Sequence, residues 1–285
     1  MRNFVRIPAI ANLLRHFLLG LGLILCGPAA AQQPPVEPSG LTYVDLVELG
    51  MASDMVLQAK IDDQITVPEE RAPDVPPHRV RLYLEAVTQS LLSGSAPIGE
   101  SLAFLTDMDR DADGEEPDLE EQIVLLFARR VEGNPGFIQL VAPGAMQPAN
   151  PALDARIRAV QTQLLQGERP PFITGVREVM SVPGNLVGES ETQIFLETRE
   201  GAPVSISVLR RPNMAPHWGV SWTDIVDQSA RAPEKETLRW YSLACYLPQE
   251  LPQEAYLQSD RESRIRAQED YAIVLRELGA CSRSI

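Results

Sequence analysis

Histidine, lysine, cysteine and aromatic side chains are all scarce in this chain, and each shortage narrows the chemistry open to it. Of 285 residues three are His and three are Cys, aromatic residues make up 6%, and Lys60 and Lys235 are the only lysines. There is no Gly-x-Ser-x-Gly elbow and no His-Glu-x-x-His pair, so the usual signatures of a serine hydrolase and of a zinc peptidase are missing. His78 follows a double proline and has no recognisable serine or cysteine partner, which fits a surface histidine better than a general base. With so few rings the core must be mainly aliphatic. No apolar run approaches the ~20 residues that a membrane-crossing helix needs. Basic charge is short as well: 39 acidic against 25 basic residues give a formal net charge of -14. A field of that sign repels phosphate backbones and anionic headgroups, which argues against nucleic acid and against electrostatic docking to membranes.

What the chain does have begins at its N-terminus. Arg2, Arg6 and Arg15 stand without an acidic neighbour, an apolar run follows from Phe17 to Cys26, and Gly27-Pro28 precedes Ala29-Ala30-Ala31. This is the three-part pattern of a secretory signal peptide over residues 1–31, with cleavage near Ala31 and a mature start at Gln32. An apolar core of about ten residues is too short for an anchor. Leu25 before Cys26 does not suit acylation of that cysteine. The mature chain is therefore expected to be periplasmic or secreted, without stable membrane insertion, and more acidic by the three arginines removed. Residues 32–40 (QQPPVEPSG) read as a flexible, proline-rich leader.

Removal of Cys26 leaves Cys245 and Cys281 as an even pair in an oxidising compartment, where a disulfide is the default expectation. On the chain-entropy model, whose mechanism is disputed, closing a loop of that length stabilises the fold by roughly 3 to 4 kcal/mol. A thiol pair for catalysis or metal binding is the alternative, and the long spacing without a Cys-x-x-Cys motif speaks against it.

Hydrophobic periodicity predicts an α+β protein. A helix is expected over Thr42–Ala52. Period-two patterning predicts strands over Met55–Val67, Val80–Thr88, Ser101–Thr106, Gln122–Arg129 and Gly136–Val141, while the segment PEERAPDVPP is too proline-rich to be regular. Five strands and one helix in a β-rich domain over 41–149 suggest a barrel-like, OB-like or rolled sheet. Asn150-Pro151 opens a dividing helix over 150–168 that ends at Gly167. The last part, 169–285, is expected to be a second small sheet (Phe172–Val182, Thr192–Glu197, Val204–Arg210 and His217–Trp222) closed by helices over Glu234–Leu247 and Asp260–Leu278, with a hairpin at Gly201-Ala202-Pro203.

The sharpest chemical motif is Asp109-x-Asp111-x-Asp113-Gly114-x5-Glu120, which satisfies the calcium-loop expression in full: alternate carboxylates converge on one ion, glycine allows the turn, and the twelfth residue closes the shell. Its context is unusual, with Glu116 and Pro117 at the eighth and ninth positions and strands on both flanks. A solvated acidic hairpin between the third and fourth strands is the competing reading. In His217-Trp218-Gly219-Val220-Ser221-Trp222 both tryptophans fall on one strand face, either as a stacking platform for sugar or peptide or, more commonly, as core.

The runs Ile173–Glu178, Val182–Leu186 and Glu191–Leu196, closed by Trp218–Ser221, resemble a family of uncharacterised exported proteins of alphaproteobacteria. That resemblance implies a shared fold and export and carries no known activity, catalytic residue or cofactor. The expected function is a non-enzymatic binding or interaction module of the cell envelope, its partner an unknown envelope component. The alternatives are an envelope hydrolase using carboxylates or a histidine, and a module stabilised by calcium at Asp109, Asp111, Asp113 and Glu120. No catalytic residue and no other cofactor is assigned.

Overall fold

A computed structural model describes residues 40–94, 99–166, 169–227 and 229–285. The signal peptide expected over 1–31, and the leader expected over 32–40 except for Gly40, lie outside the described residues. The first helix, α1 (Tyr43–Ala52), starts where it does because Thr42 and Asp45 cap each other. Thr42 Oγ1 accepts from Asp45 N at 3.1 Å, and Asp45 Oδ2 accepts from Thr42 N at 2.7 Å, satisfying two orphan donors at once.

Five strands then close into a barrel: β1 (Met55–Thr66), β2 (Arg79–Gly94), β3 (Ser101–Asp109), β4 (Ile123–Val131) and β5 (Asn134–Leu140). They are ordered β1-β2-β3-β5-β4, and β1 also pairs β4, which completes the ring. Every pairing is antiparallel except that of β3 with β5. Of the two arrangements expected, barrel and rolled sheet, the chain adopts the barrel, in the OB-like order. Period-two alternation puts Leu57, Ala59, Ile61, Leu82, Leu84 and Phe104 inside. β4 reads as a continuous apolar run because both its faces are buried: Val124 and Leu126 point into the barrel, Leu125 and Phe127 into the neighbouring core.

Three details of this first part of the chain depart from expectation. β2 continues past Thr88 to Gly94, with register shifts against β1. A short strand, β6 (Met146–Pro148), was not anticipated; it pairs with β4 beyond the end of β5, after residues 141–145 loop out. The acidic segment after Asp109 is not a hairpin, because β5 lies between β3 and β4 in the sheet. The segment instead crosses one end of the barrel, where Leu119 is buried among the barrel residues. Gln64 grips it there, accepting from Leu119 N at 3.0 Å and donating to Pro117 O at 2.9 Å.

α2 (Pro151–Gln166) is capped by Asn150, whose Oδ1 accepts from Leu153 N at 2.8 Å. β7 (Ile173–Pro183), β8 (Ser190–Thr198), β9 (Ser205–Arg210) and β10 (His217–Ser221) form an antiparallel sheet in the order β10-β9-β8-β7. α3 (Leu238–Ala244) is shorter than the helix expected from Glu234, since Thr237 caps it and Glu236 has a φ of 57° that no helix admits. α4 (Arg261–Leu278) runs from its Asp260 cap to Gly279. Gly219 is required by crowding: a Cβ there would lie 2.0 Å from Ala230 O, on the segment that returns along β10.

Polar groups tie α4 to the sheet. Asp270 is fully buried, accepting from Arg210 Nε at 2.6 Å and from Thr192 Oγ1 at 2.5 Å; Thr192 Oγ1 lies 2.8 Å from Ser181 Oγ. Cys245 and Cys281 are disulfide-bonded, as the cysteine count predicted. The residues after Cys281 lie against α1: Thr42 Oγ1 donates to Ser282 O, Ser284 Oγ donates to Asp45 Oδ2, and Arg283 pairs with Glu48. One apolar core joins α1, α2, the second sheet, α3, α4 and the outward side chains Val56, Leu125 and Phe127 of the barrel, so that residues 40–285 form one compact unit. Among the described residues no helix is long and apolar enough to cross a membrane.

Candidate functional site

The barrel is closed least firmly between β3 and β5. A single residue pair, Ala103 with Phe137, joins them, whereas nine pairs join β3 to β2. Main-chain bonds from Arg110 N to His78 O and from Thr88 N to Glu100 O bracket the β2–β3 ladder, so the even-numbered residues of β3 bond to β2. The N–H and C=O groups of Leu105, Asp107 and Asp109 therefore face the β5 side, beyond the point where pairing stops. Past that point the strands diverge around a cleft of about 750 Å³, whose far wall is residues 138–144.

Side chains on the outer face of β2 and β3 complete it. Tyr83 stands 6.1 Å from Phe137 between ring centroids, and Leu105 is exposed beside them. Arg81 forms paired hydrogen bonds with Asp107 (2.7 and 2.9 Å) and with Asp74 (3.1 and 3.0 Å). Its hydrogen bonds to Asp107 and then Asp74 raise its pKa further, and those from Arg81 hold Asp74 below the usual carboxylate range. Arg79 donates through Nη2 to Asp107 O at 2.6 Å. Its Nε lies 3.0 Å from Asp109 Oδ1, an ion pair whose angle does not make a hydrogen bond. The cleft thus joins an apolar floor, with Phe137 in it, to an ionic rim of Asp107, Asp109, Arg79 and Arg81, and Asp74 holds Arg81 from outside the lining. The described residues that line the cleft include no histidine, serine or cysteine.

The residues singled out from sequence fall elsewhere or are otherwise engaged. Asp109 ends β3 against Arg79. Asp111 Oδ1 accepts from Asp113 N at 2.9 Å and from Glu115 N at 2.8 Å, folding the turn at Gly114 upon itself. Glu120 is exposed at the far end of the segment, its N–H donating to Asp118 Oδ1. Among the described residues no three His, Cys, Asp or Glu side chains are grouped to hold a metal ion. Because Asp111 Oδ1 is taken by two N–H groups and Asp109 by Arg79, millimolar calcium is expected to leave the melting temperature within about 1 °C of its metal-free value; a rise of several degrees would show that the acids rearrange to bind it. His78, in the turn before β2, and His217, on β10, are both exposed, and His217 Nε2 lies 3.1 Å from Ala230 O. Trp218 is core, with Nε1 donating to Glu277 Oε2 at 2.6 Å, and Trp222 is half-buried beneath Arg239, so the two make no exposed platform. Sequence reasoning missed the cleft because its walls meet only on closure; the alternation Arg79, Arg81, Tyr83 along β2 was its one visible trace.

A comparison with protein-family models finds no match, and a comparison with curated proteins finds none either.

Proposed function

We propose that this chain is an exported, non-enzymatic binding module of the cell envelope, and that an extended peptide segment docks in its β3–β5 cleft. The observation that carries the reading is the single pairing between β3 and β5. It leaves a β3 edge, on which only Asp107 O is taken by Arg79, facing an accessible apolar cleft, and main-chain groups on such an edge are satisfied by a further extended backbone. In OB-like barrels the strand 2–3 face is a ligand surface, which makes this cleft the natural first choice. The two rim guanidiniums are already paired, Arg81 with both Asp107 and Asp74 and Arg79 with Asp109, and the chain carries a formal charge of -14, which favours a segment with basic residues alternating with apolar ones. Export rests on the N-terminal pattern, and the disulfide agrees with it.

Panning a random peptide library against the protein, from Gln32 onward, tests this directly. Enriched peptides should alternate apolar and basic residues, bind at least about tenfold more weakly when their alternate amides are N-methylated, and lose affinity for Phe137→Ala. Enrichment of nothing, or of peptides indifferent to N-methylation, would refute strand addition. For export, the periplasmic fraction should yield a chain beginning at Gln32; full-length chain in the cytosol would refute it.

A further inference from the structure

A second cleft, of about 360 Å³, opens where the stretch before β7, the β8–β9 turn and α3 meet. It shares no residue with the barrel cleft and is independent of the reading above. Leu164, Leu238, Phe172 and Tyr246 give it apolar walls, and Arg169 and Arg199 stand among its lining. Its size falls at the low end of the roughly 300–1,000 Å³ usual for small-molecule sites.

The arrangement of Arg199 is the telling feature. Its guanidinium carbon lies 3.8 Å from the centroid of the Phe172 ring, whose other neighbour is Tyr246 at 4.4 Å between centroids. Stacking uses the flat face of a guanidinium and leaves its N–H donors free around the edge, in the fork that matches a carboxylate or phosphate. No carboxylate among the described residues pairs with Arg199 or Arg169, although acids outnumber bases 39 to 25 in the chain. Arg81, by contrast, is held by two carboxylates. The one acid in the lining, Glu200, accepts the Phe172 N–H at 3.0 Å. Tyr241 contributes no anion, since burial, then its contact with Tyr246, pushes its pKa far above the ordinary 10. An exposed arginine stacked on an aromatic ring, with no side-chain donor claimed among the described residues and an apolar cleft beside it, has the makings of an anion receptor.

We infer that this cleft binds a small amphipathic anion, its apolar body against Phe172, Leu164 and Leu238 and its single carboxylate or phosphate held by Arg199 with Arg169 beside it. Calorimetric titration with 4-phenylbutyrate, phenyl phosphate and the neutral 4-phenylbutanol tests the inference. At least one anion should bind saturably at one site, the tighter of the two identifying the headgroup, with the alcohol roughly tenfold weaker or more. Arg199→Gln should weaken anion binding by roughly 10- to 100-fold, and Arg169→Gln by less, with melting temperatures lowered by no more than about 4 °C, since among the described residues neither side chain has a carboxylate partner and Arg199 loses only its stacking on Phe172. Phe137→Ala, in the barrel cleft, should leave it unaltered. The inference is overturned if the alcohol binds as tightly as the anions, if neither anion saturates, or if Arg199→Gln binds like the wild type.

Discussion

Truncating Asp270 to alanine is expected to lower the unfolding free energy by about 3–5 kcal/mol, because it leaves the Arg210 guanidinium without its buried counter-charge. In a chain of this size that corresponds to roughly 6–20 °C in melting temperature. Asp270 has no exposed surface and receives both Arg210 and Thr192, so its removal also takes a hydrogen bond from the Thr192 hydroxyl, which keeps Ser181 Oγ at 2.8 Å. The i,i+4 pair of Arg158 with Asp154 on α2, both partners open to solvent at 54% and 23%, is a built-in contrast: Asp154→Ala should cost no more than about 1 kcal/mol. Replacing both Asp270 and Arg210 by apolar residues of similar volume should recover most of the loss, since a well-packed apolar pair is often as stable as the ion pair it replaces. Denaturant and thermal unfolding of the four proteins decide it. A cost below about 1 kcal/mol for Asp270→Ala, or no recovery in the double variant, would mean that the network does not clamp α4.

The second large effect concerns the crosslink. Cys245 and Cys281 are 36 residues apart, and replacing both by serine is expected to cost roughly 3–4 kcal/mol on the loop-entropy estimate. The loss should depend on pH. Burial opposes ionisation of Asp45, but hydrogen bonds from Ser284 and Thr42 outweigh it and hold its pKa below the ordinary 3.8. A carboxyl with a lowered folded pKa contributes stability that is present above the unfolded value and fades as pH falls through the folded one. Freeing the tail removes the Ser284 share of that stabilisation. The gap between wild type and variant should therefore be widest at neutral pH and narrow as the pH is lowered from neutral to below the ordinary carboxylate pKa of 3.8. A gap constant across that range would detach Asp45 from the crosslink, and a cost below about 1 kcal/mol would mean that the disulfide closes a loop already ordered in the unfolded chain.

Much of the architecture is legible in one dimension because local physics dictates it. Thr42, Asn150 and Asp260 announce three helix starts, and the alternation of β1 sorts its inner from its outer face. The doubly buried β4 shows as an unbroken apolar run. What is not legible depends on contacts between distant segments. Nothing local says that β5 inserts between β3 and β4, and hence that the acidic segment must cross the barrel end. β6 is three residues long and carries no periodicity. Asp270 did leave a signal: it sits among Ser263, Ala267, Tyr271, Val274 and Leu278 on the buried stripe of α4, where a carboxylate calls for a partner. The stacking of Arg199 on Phe172 left none, since 27 positions separate them and only the β7–β8 pairing brings them together.

The hydrogen bond from Thr42 to Ser282 places the start and finish of the folded body side by side. Tension applied through residue 40 and through Ile285 is borne at that seam, by Arg283 on Glu48, Ser284 on Asp45 and the neighbouring disulfide, before any strand is pulled. A body held this way hangs from one corner, so its strand ladders can keep their register while its ends are loaded.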